Sequence, residues 1–489
     1  MSGPLIIFGI AFAAWAGSLV TGHAQALPPY SVAVGLSQPT GLITLPGLND
    51  AQQAMAQSIN NVCPTINSIA VTPSQKDLAT VCSGMLGSAV QLQNQPNPAG
   101  LPSYGLSSTG LSSALEGLNG GPEIVVPTTQ TSTLQTQQSN LMGGVVEARL
   151  SALRNRGSGS DLALASPRVG QLASATPYSS PDVGFDQSSP GQVAYWSGDF
   201  GLYMNWLGQF GSRDTTSRQN GYSFTNAGVI AGADYRFTPQ LAAGVAFDYT
   251  HASTDFDTSA ISASGQSMDS DLFQGTLYAT YSVTNSLFLN GSASIGSGTS
   301  ASQRHIVIPS MTALAGVDRI ATGSFGTANR SVTIGGGYAL PVGDLTLTPT
   351  VRFQYLYVSS DGFTENGASG LDLTYGGSGH NAYLSFVGGQ AQYAIPTRFG
   401  ILYPNAQFNW AHQYNNSNGA VSVAYSNDPL LLSNFVLPAD QPDRNYFDLG
   451  VGLALQLAPN QSVFINYDAI LGLSHTSYNS IVAGLRVTF

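Results

Sequence analysis

The stretch FDLGVGLALQL, residues 447–457, carries the pattern that decides the fold of this chain. Every second residue from Phe447 to Leu457 is large and apolar. The residues between them are small or polar: Asp448, Gly450, Gly452, Ala454 and Gln456. Successive side chains of a β-strand point to opposite faces, so the alternation predicts a strand with one apolar face. Residues 345–357 repeat the pattern, and so does the end of the chain, which stops at Phe489.

The connections between such strands alternate in length. Tight links lie at residues 237–241, 283–287, 341–345, 395–400 and 457–462. Longer polar loops lie near residues 212–221, 252–268, 297–324, 359–379 and 412–443, and a shorter one lies near residues 474–479. A soluble β-sandwich gives no reason for this alternation, whereas a membrane barrel has short turns at one end and long loops at the other. The five turns and six loops predict an all-β transmembrane barrel of twelve antiparallel strands over residues 198–489.

The composition agrees with a membrane barrel. Charged residues make up only 8% of the chain, far below the roughly 25% of ordinary soluble proteins. After the first twenty-odd residues, no window holds the ~18 consecutive apolar residues that a membrane helix needs. The formal net charge is -11, and Lys76 is the only lysine. Because phosphate binding needs clustered basic residues, no nucleic-acid partner is expected.

The first 26 residues resemble a secretory signal. An apolar stretch from Leu5 to Val20 precedes Ala24, Gln25 and Ala26, which fit a small-x-small cleavage pattern. No positive charge precedes Leu5, so an uncleaved membrane anchor is the alternative. We therefore expect residues 1–26 to be a signal peptide of an exported protein.

Residues 27–130 are predicted to be a short, small α-helical or partly disordered N-terminal region with a Gln/Ser/Pro-rich linker. Helical patterns lie around residues 49–63 and 74–86 and would form a small hairpin. Cys63 and Cys82 are the only cysteines, and in an oxidising compartment they are expected to form a disulfide. Free buried cysteines are the alternative. A metal site is not expected, because no histidine lies near enough to complete it.

A second helical pattern precedes the barrel at residues 131–156. Its apolar residues recur at helical spacing: Leu141, Val145, Val146, Leu150 and Leu153. The glycine-bearing sequence NRGSGSD then ends it, and residues 157–197 are predicted to be a linker.

From about Asp199 to Phe489 the chain resembles the C-terminal translocator domain of autotransporters, the type V secretion family. The resemblance rests on the order and spacing of FGLYMNWLGQFGSRD, GYSFTNAGVIAGADYRFTPQLAAGVAFDYTHASTDFD, DGFTENGASGLDLTY, DQPDRNYFDLGVGLAL and the terminal AGLRVTF. It implies a twelve-stranded barrel, a helix threaded through its pore and an N-terminal passenger carried to the cell surface. It also implies that Phe489 is read by the outer-membrane barrel-assembly machinery.

The resemblance identifies residues 131–156 as the pore-threading helix. Self-cleaving members carry an asparagine pair just upstream of the basic part of this helix, where this chain has Gly144, Val145 and Val146. Cleavage by that route is therefore not expected. Some forty residues separate the helix from the first strand, whereas many members have almost none.

The strand pattern turns five ionisable side chains toward the lumen: Asp234, Arg236, Arg352, Asp468 and Arg486. A charge is tolerated in a wet lumen and costs roughly 2 to 4 kcal/mol on the lipid face near the midplane. These residues are expected to contact the pore helix through Glu147, Arg149 and Arg154. The alternative is that they only hydrate the lumen or pair with each other.

The function expected from these observations is an outer-membrane barrel of a Gram-negative bacterium that displays or translocates its own short passenger. Its partners would be outer-membrane lipid and the assembly machinery, and the barrel would be monomeric. A porin-like pore is one alternative. A surface hydrolase or protease is another, for which His251 with Asp255, or His412 and His475, could be considered. No catalytic, cofactor-binding or metal-binding residue is predicted.

Overall fold

The computed structural model describes residues 41–97, 100–119, 200–218, 220–257, 266–415, 420–438, 440–458 and 461–488. None of the helices in these ranges is both long enough and apolar enough to span a membrane.

Twelve long antiparallel strands form the main sheet. They are β1 (Phe200–Arg213), β2 (Tyr222–Arg236), β3 (Leu241–Phe256), β4 (Ser267–Ser282), β5 (Leu287–Ile308), β6 (Val317–Tyr338), β8 (Leu345–Ser360), β11 (Ser378–Tyr393), β13 (Gly400–Gln413), β16 (Asn445–Ala458), β17 (Gln461–Leu471) and β18 (Thr476–Thr488). Two three-residue strands, β7 (Leu340–Val342) and β12 (Ile395–Thr397), extend the pairing beside tight turns. The first long strand pairs with the last, and β8 pairs with β11, so the sheet closes into a barrel.

Closure confirms the fold class predicted from the alternation. Large apolar side chains such as Val451, Leu453 and Ile465 are exposed on the outer wall. Asn466 and Asp468 on the same strands are buried inside. Because hydrocarbon offers no hydrogen bonds, a spanning sheet needs this edge-free pairing. The five predicted tight links all lie at one end of the barrel, which we call the turn end; the opposite end is the loop end.

In the described residues before the barrel, the chain forms three helices: α1 (Asp50–Ile69), α2 (Pro73–Leu92) and α3 (Ser108–Asn119). Capping boxes start the first two, with Asn49 and Gln52 in α1 and Thr72 and Gln75 in α2. We call residues 41–119 the helical domain. A disulfide joins Cys63 in α1 to Cys82 in α2. The predicted hairpin is therefore present, with longer helices, whereas α3 was not predicted.

The loop end is more ordered than the sequence predicted. Residues 297–324 were expected to be a loop, but β5 and β6 run through most of it as strands of 22 residues each. The connections after β8 and β13 hold four further strands, β9 (Phe363–Thr364), β10 (Leu373–Tyr375), β14 (Ala420–Tyr425) and β15 (Phe435–Pro438). These pair in the order β15-β14-β10-β9, and we call them the loop sheet.

A change in which face of the strand is apolar explains why the upper parts of β5 and β6 were not recognised as strands. In the lower part of β5 the apolar residues, such as Leu289 and Ile295, point outward and are exposed. Near its upper end Ile306 and Ile308 are fully buried on the opposite face. The apolar residues therefore shift from odd-numbered to even-numbered positions within a single strand. A shift of one residue reverses which face of the strand is apolar.

Candidate functional site

The helical domain and the loop end share one apolar core. The buried cluster takes Met55, Ile59, Leu78, Leu86 and Leu115 from the helical domain, Ile306, Ile308, Val317 and Ala321 from β5 and β6, and Leu373, Tyr375, Val421, Val423 and Leu437 from the loop sheet. Apolar burial contributes about 25 cal/mol per Å² of surface removed from water. The helical domain is therefore a docked domain whose core is completed by the barrel.

Arg304 on β5 lies at the centre of this interface. Its side chain is only 1% exposed and forms an ion pair with Glu365 in the connection after β8. The same guanidinium donates to the carbonyl oxygen of Gly117 in α3 at 2.8 Å and to that of Leu371 at 3.0 Å. Arg304 thus joins the barrel wall, the loop connection and the helical domain through one planar group, whose fork of donors suits such contacts.

The carboxylate of Glu365 is held as tightly as its partner. Besides Arg304, it accepts hydrogen bonds from the backbone N–H of Leu373 at 2.9 Å and from the Tyr375 hydroxyl at 3.1 Å. A buried ion pair is stable only when its remaining donors and acceptors are satisfied, because burying both charges removes their hydration. These added bonds meet that requirement on the acidic side.

A second ion pair joins α2 to β6. Both oxygens of Asp77 accept from the two terminal nitrogens of Arg319, and the distance from Oδ1 to the second nitrogen is 2.8 Å. Burial opposes ionisation of Asp77, but Arg319 and the Gly370 backbone N–H together hold its pKa below the usual value. The close approach at Gly370 requires glycine, because a Cβ there would collide with the Ser74 carbonyl oxygen of α2.

Further hydrogen bonds reach the helical domain from three other connections. Ser58 in α1 donates at 2.7 Å to the carbonyl oxygen of Ser433, which lies between β14 and β15. The Met311 N–H, at the tip between β5 and β6, donates to the Tyr104 carbonyl oxygen at 2.8 Å. In the connection between β1 and β2, the Asn220 amide donates to Glu116 of α3 at 3.1 Å. The Tyr104 side chain lies in the shared core, where burial raises the pKa of its phenol to about 12.

Asn119 and Phe200, the described residues that flank residues 120–199, lie at opposite ends of the barrel. Asn119 ends α3 beside Gly117, which contacts Arg304 at the loop end. Phe200 begins β1 and pairs with Tyr235 next to the β2–β3 turn, at the turn end.

All five predicted lumen residues lie on the inner face. The Tyr278 hydroxyl donates to Asp234 at 3.4 Å, and the Gln407 amide donates to Asp468 at 2.9 Å. The guanidinium of Arg352 lies 4.1 Å from the centre of the Phe386 ring. Arg486 is buried, and Arg236 is half-buried on the same inner side.

Several predicted features lie outside the described residues. They are the signal at residues 1–26, the pore helix at 131–156 with Glu147, Arg149 and Arg154, the linker at 157–197, and Phe489. The helix contacts of the lumen residues therefore stay a prediction.

The histidines do not form the pairs considered from the sequence. The register sets His251 opposite Asp271, whose Oδ1 lies 2.9 Å from His251 Nδ1, whereas Asp255 lies opposite Ser267. The pairing of His251 with Asp255 is therefore wrong. Nδ1 of His412 lies 2.8 Å from the side-chain oxygen of Asn445, and His475 sits in a turn with a φ of 56°. Within the described ranges, no group of three or more His, Cys, Asp or Glu residues could hold a metal ion.

The sequence analysis missed the residues that form the docking interface. Arg304, Glu365, Asp77 and Arg319 are far apart along the chain and follow no local motif. The signal that could have found Arg304 is its position on the inner face of β5, only two residues before the buried Ile306.

Comparison with known proteins agrees with this architecture. The family model described as the autotransporter beta-domain matches residues 202–468. "Outer membrane protein A" of Rickettsia rickettsii is 23% identical over 294 residues, which is 58% of this chain but only 12% of that protein.

Translocator domains are among the solved structures to which this chain is similar. The "translocator domain of autotransporter NalP" from Neisseria meningitidis is 14% identical, with 60% of this chain and 90% of that chain covered and a TM-score of 0.45. The "transport unit of the autotransporter AIDA-I" from Escherichia coli is 15% identical, with coverages of 62% and 94% and a TM-score of 0.40.

The family model covers more than half of this chain, from the first strand of the barrel to the eleventh of its twelve long strands. The chain therefore belongs to the autotransporter beta-domain family, whose barrels lie in the outer membrane of Gram-negative bacteria.

Proposed function

We propose that this barrel carries its own N-terminal residues across the outer membrane and retains the helical domain on its outer loops. The observation that carries the proposal is Arg304, which binds the α3 backbone and Glu365 in one buried network. A passenger destined for release would have little use for such an interface. In this proposal the passenger is a displayed domain that stays docked on the barrel.

The positions of Asn119 and Phe200 support passage through the barrel. Because they lie at opposite ends, residues 120–199 must connect the loop end to the turn end. A route along the lipid-facing wall would expose unpaired backbone groups to hydrocarbon, which costs several kcal/mol per group. We therefore propose that residues 131–156 thread the lumen as a helix.

In this proposal the charges of the helix meet charges of the inner wall. Glu147, Arg149 and Arg154 would face Asp234, Asp468 and Arg352. The acidic side chains Asp234 and Asp468 are buried inside the barrel, where a guanidinium would gain from their low-dielectric surroundings. Phe489 would serve as the signal for the barrel-assembly machinery.

The single lysine provides a direct test of display. Lys76 lies exposed in the first turn of α2 and is the only side-chain amine of the chain. We expect a membrane-impermeant, amine-reactive biotin ester to label Lys76 on intact cells, as judged by peptide mapping. The Lys76→Arg variant lacks this amine, so any label that it still takes up measures reaction at the α-amino group.

A relocated lysine supplies the matched control. In the Lys76→Arg background, Gln240→Lys introduces one amine into the exposed β2–β3 turn at the turn end. We expect this introduced amine to be labelled only after the outer membrane is permeabilised. Equal protection of Lys76 and of the amine introduced by Gln240→Lys on intact cells would contradict surface display.

A further inference from the structure

The inner wall of the barrel carries two pairs of buried amide side chains that the proposed docking and helix contacts do not use. In the first pair, the Asn226 amide on β2 donates to Gln209 Oε1 on β1 at 2.8 Å. In the second pair, the Asn329 amide on β6 donates to Gln274 Oε1 on β4 at 2.7 Å. We call these two pairs the amide bridges. All four side chains are neutral, lie on the inner face and are at most 3% exposed.

The second amide bridge spans three strands. Gln274 on β4 is the register partner of Gly296 on β5, which is in turn the partner of Asn329 on β6. Adjacent strands are about 4.8 Å apart, so the two amides meet above the glycine that separates them. A Cβ at position 296 would collide with the Asn329 side chain. The missing side chain on β5 is therefore what allows this bridge to form.

The same arrangement recurs on another part of the wall. In the register, Gln407 on β13 and Asp468 on β17 flank Gly450 of β16. The Gln407 amide donates to Asp468 at 2.9 Å, and a Cβ at position 450 would collide with both side chains. A polar pair joined above a glycine is thus a repeated feature of the inner wall.

Each amide bridge leaves one donor and one acceptor unused. Among the described residues, Gln209 Nε2 and Gln274 Nε2 have no hydrogen-bond partner, and the same holds for Asn226 Oδ1 and Asn329 Oδ1. Leaving buried polar groups unpaired costs free energy. Reversing both amides of a bridge would again leave one donor and one acceptor, so this result does not depend on how each amide is turned.

The unused groups define the chemistry of a ligand that would satisfy them. Such a ligand offers a donor and an acceptor together, and it needs no charge because neither amide bridge contains an ionised group. An extended polypeptide meets this requirement at every second residue, where the N–H and the C=O point to the same side. Because side chains take no part, the amide bridges suit any sequence in an extended conformation.

We propose that the amide bridges bind the extended backbone of the passenger while it crosses the lumen. This inference rests on the proposed translocation and names the groups that receive the moving chain. Residues 27–130 contain only five Asp, Glu, Lys or Arg residues, so backbone amides are by far their most frequent strongly polar groups. The bridges would replace hydrogen bonds that the backbone gives up on leaving bulk water. Because one neutral hydrogen bond contributes little net free energy, each contact can break as the chain advances.

The rate at which Lys76 reaches the cell surface tests the proposal. Synthesis of the full chain is started by induction, and biotin labelling of Lys76 on intact cells is followed over time. The double variant Gln274→Leu with Asn329→Leu removes one bridge without leaving a single unpaired amide. We expect its Lys76 to reach the surface about fivefold more slowly, the change that corresponds to one hydrogen bond of ordinary strength.

Two controls separate the amide groups from the shape of the wall. The reciprocal variant Gln274→Asn with Asn329→Gln keeps both amides and should keep the rate of the unaltered chain. Thr276→Val is the matched control, because Thr276 is the next inner residue of β4 and its hydroxyl is already paired with that of Ser294 at 2.9 Å. It should also leave the rate unchanged.

Heat-modifiable migration shows that the barrel of each variant is folded. The double variant Gln209→Leu with Asn226→Leu repeats the test at the other bridge and should also be slow. Arrival of both apolar double variants as fast as the unaltered chain would overturn the proposal, and so would an equal delay in the reciprocal variant or in Thr276→Val. Failure of the unaltered chain to expose Lys76 at any time would instead contradict translocation, so the two failures are distinguishable.

Discussion

Arg304 illustrates how a single buried side chain can determine whether a domain stays attached. Its guanidinium would lose much of its hydration energy on burial, and Glu365 together with the carbonyl oxygens of Gly117 and Leu371 replaces that hydration. The energetic consequence is asymmetric. Removing one member of a buried pair leaves an uncompensated charge, whereas replacing both by apolar groups is often neutral.

We therefore expect Arg304→Met to weaken docking of the helical domain by about 3–5 kcal/mol, because Glu365 would stay buried without its ion-pair partner. The measurement is the rate at which protease cuts the helical domain of the refolded, purified chain. The double variant Arg304→Met with Glu365→Leu is the control and should recover most of the protection. Slow cleavage of the single variant would show that Arg304 does not hold the domain.

The Asp77–Arg319 pair gives docking a dependence on acid. Asp77 has a pKa below its ordinary value in the folded protein, so it contributes stability above the ordinary carboxyl range. This contribution is lost as the pH falls through the lowered pKa. Nearby Asp372 acts in the opposite sense, because burial raises its pKa.

We expect the helical domain of the unaltered chain to undock more readily as the pH falls from about 5 to below about 3.8. Asp77→Asn should undock more readily at neutral pH and should show a smaller change across the acid range. Helical circular dichroism during thermal unfolding at each pH provides the measurement. An identical pH dependence in both proteins would exclude Asp77 as the titrating group.

At the scale of elements, β5 and β6 each perform two tasks in sequence along one strand. Their lower parts form the membrane wall, with apolar side chains pointing outward. Their upper parts form a platform, with Ile306, Ile308 and Val317 pointing into the core that the helical domain completes. The apolar residues thus change face at the height where the strand leaves the membrane and enters the loop end.

We expect Ile308→Asp to detach the helical domain, because it places an unpaired carboxylate in the shared core at a cost of several kcal/mol. Val307→Asp is the matched control, since Val307 is the neighbouring residue on the opposite, half-buried face. Protease accessibility distinguishes the two, and heat-modifiable migration should show an intact barrel in both. Equal protection of the two variants would contradict the shared core.

Most of the barrel could be predicted from the sequence, because a membrane imposes a simple rule on strands that cross it. The alternation from Phe447 to Leu457 and the tight link at 237–241 both appear in the structure where that rule predicts them. The loop end could not be predicted in the same way. There Arg304 and Glu365 meet through tertiary contacts across 61 residues of chain, and α3 packs against β5 as well as against α1.

At the scale of the whole molecule, two elements are candidates for closing the lumen: the docked helical domain and the proposed helix at residues 131–156. A twelve-stranded barrel is wider than the ~8-stranded kind that side chains alone can fill. Conductance through planar bilayers can distinguish the two elements, because each can be removed separately.

We expect near-closed currents from the intact mature chain and large, stable currents from a chain that begins near Ala194. A chain that lacks only residues 41–119 should stay near-closed if residues 131–156 occupy the lumen. Large currents from that chain would assign closure to the helical domain instead. Equally large currents from the intact and shortest chains would favour a porin-like pore.

The shared core also limits how such a protein can diversify. Since α3, the β5–β6 hairpin and the loop sheet complete one another, a substitution in any of them alters the fit of the other two. Exchanging the N-terminal domain with that of a relative would leave Arg304 and Ile308 facing a foreign surface. We therefore expect the helical domain, the β5–β6 hairpin and the loop sheet to be exchangeable only together, whereas the membrane wall beneath them can be combined with other N-terminal domains.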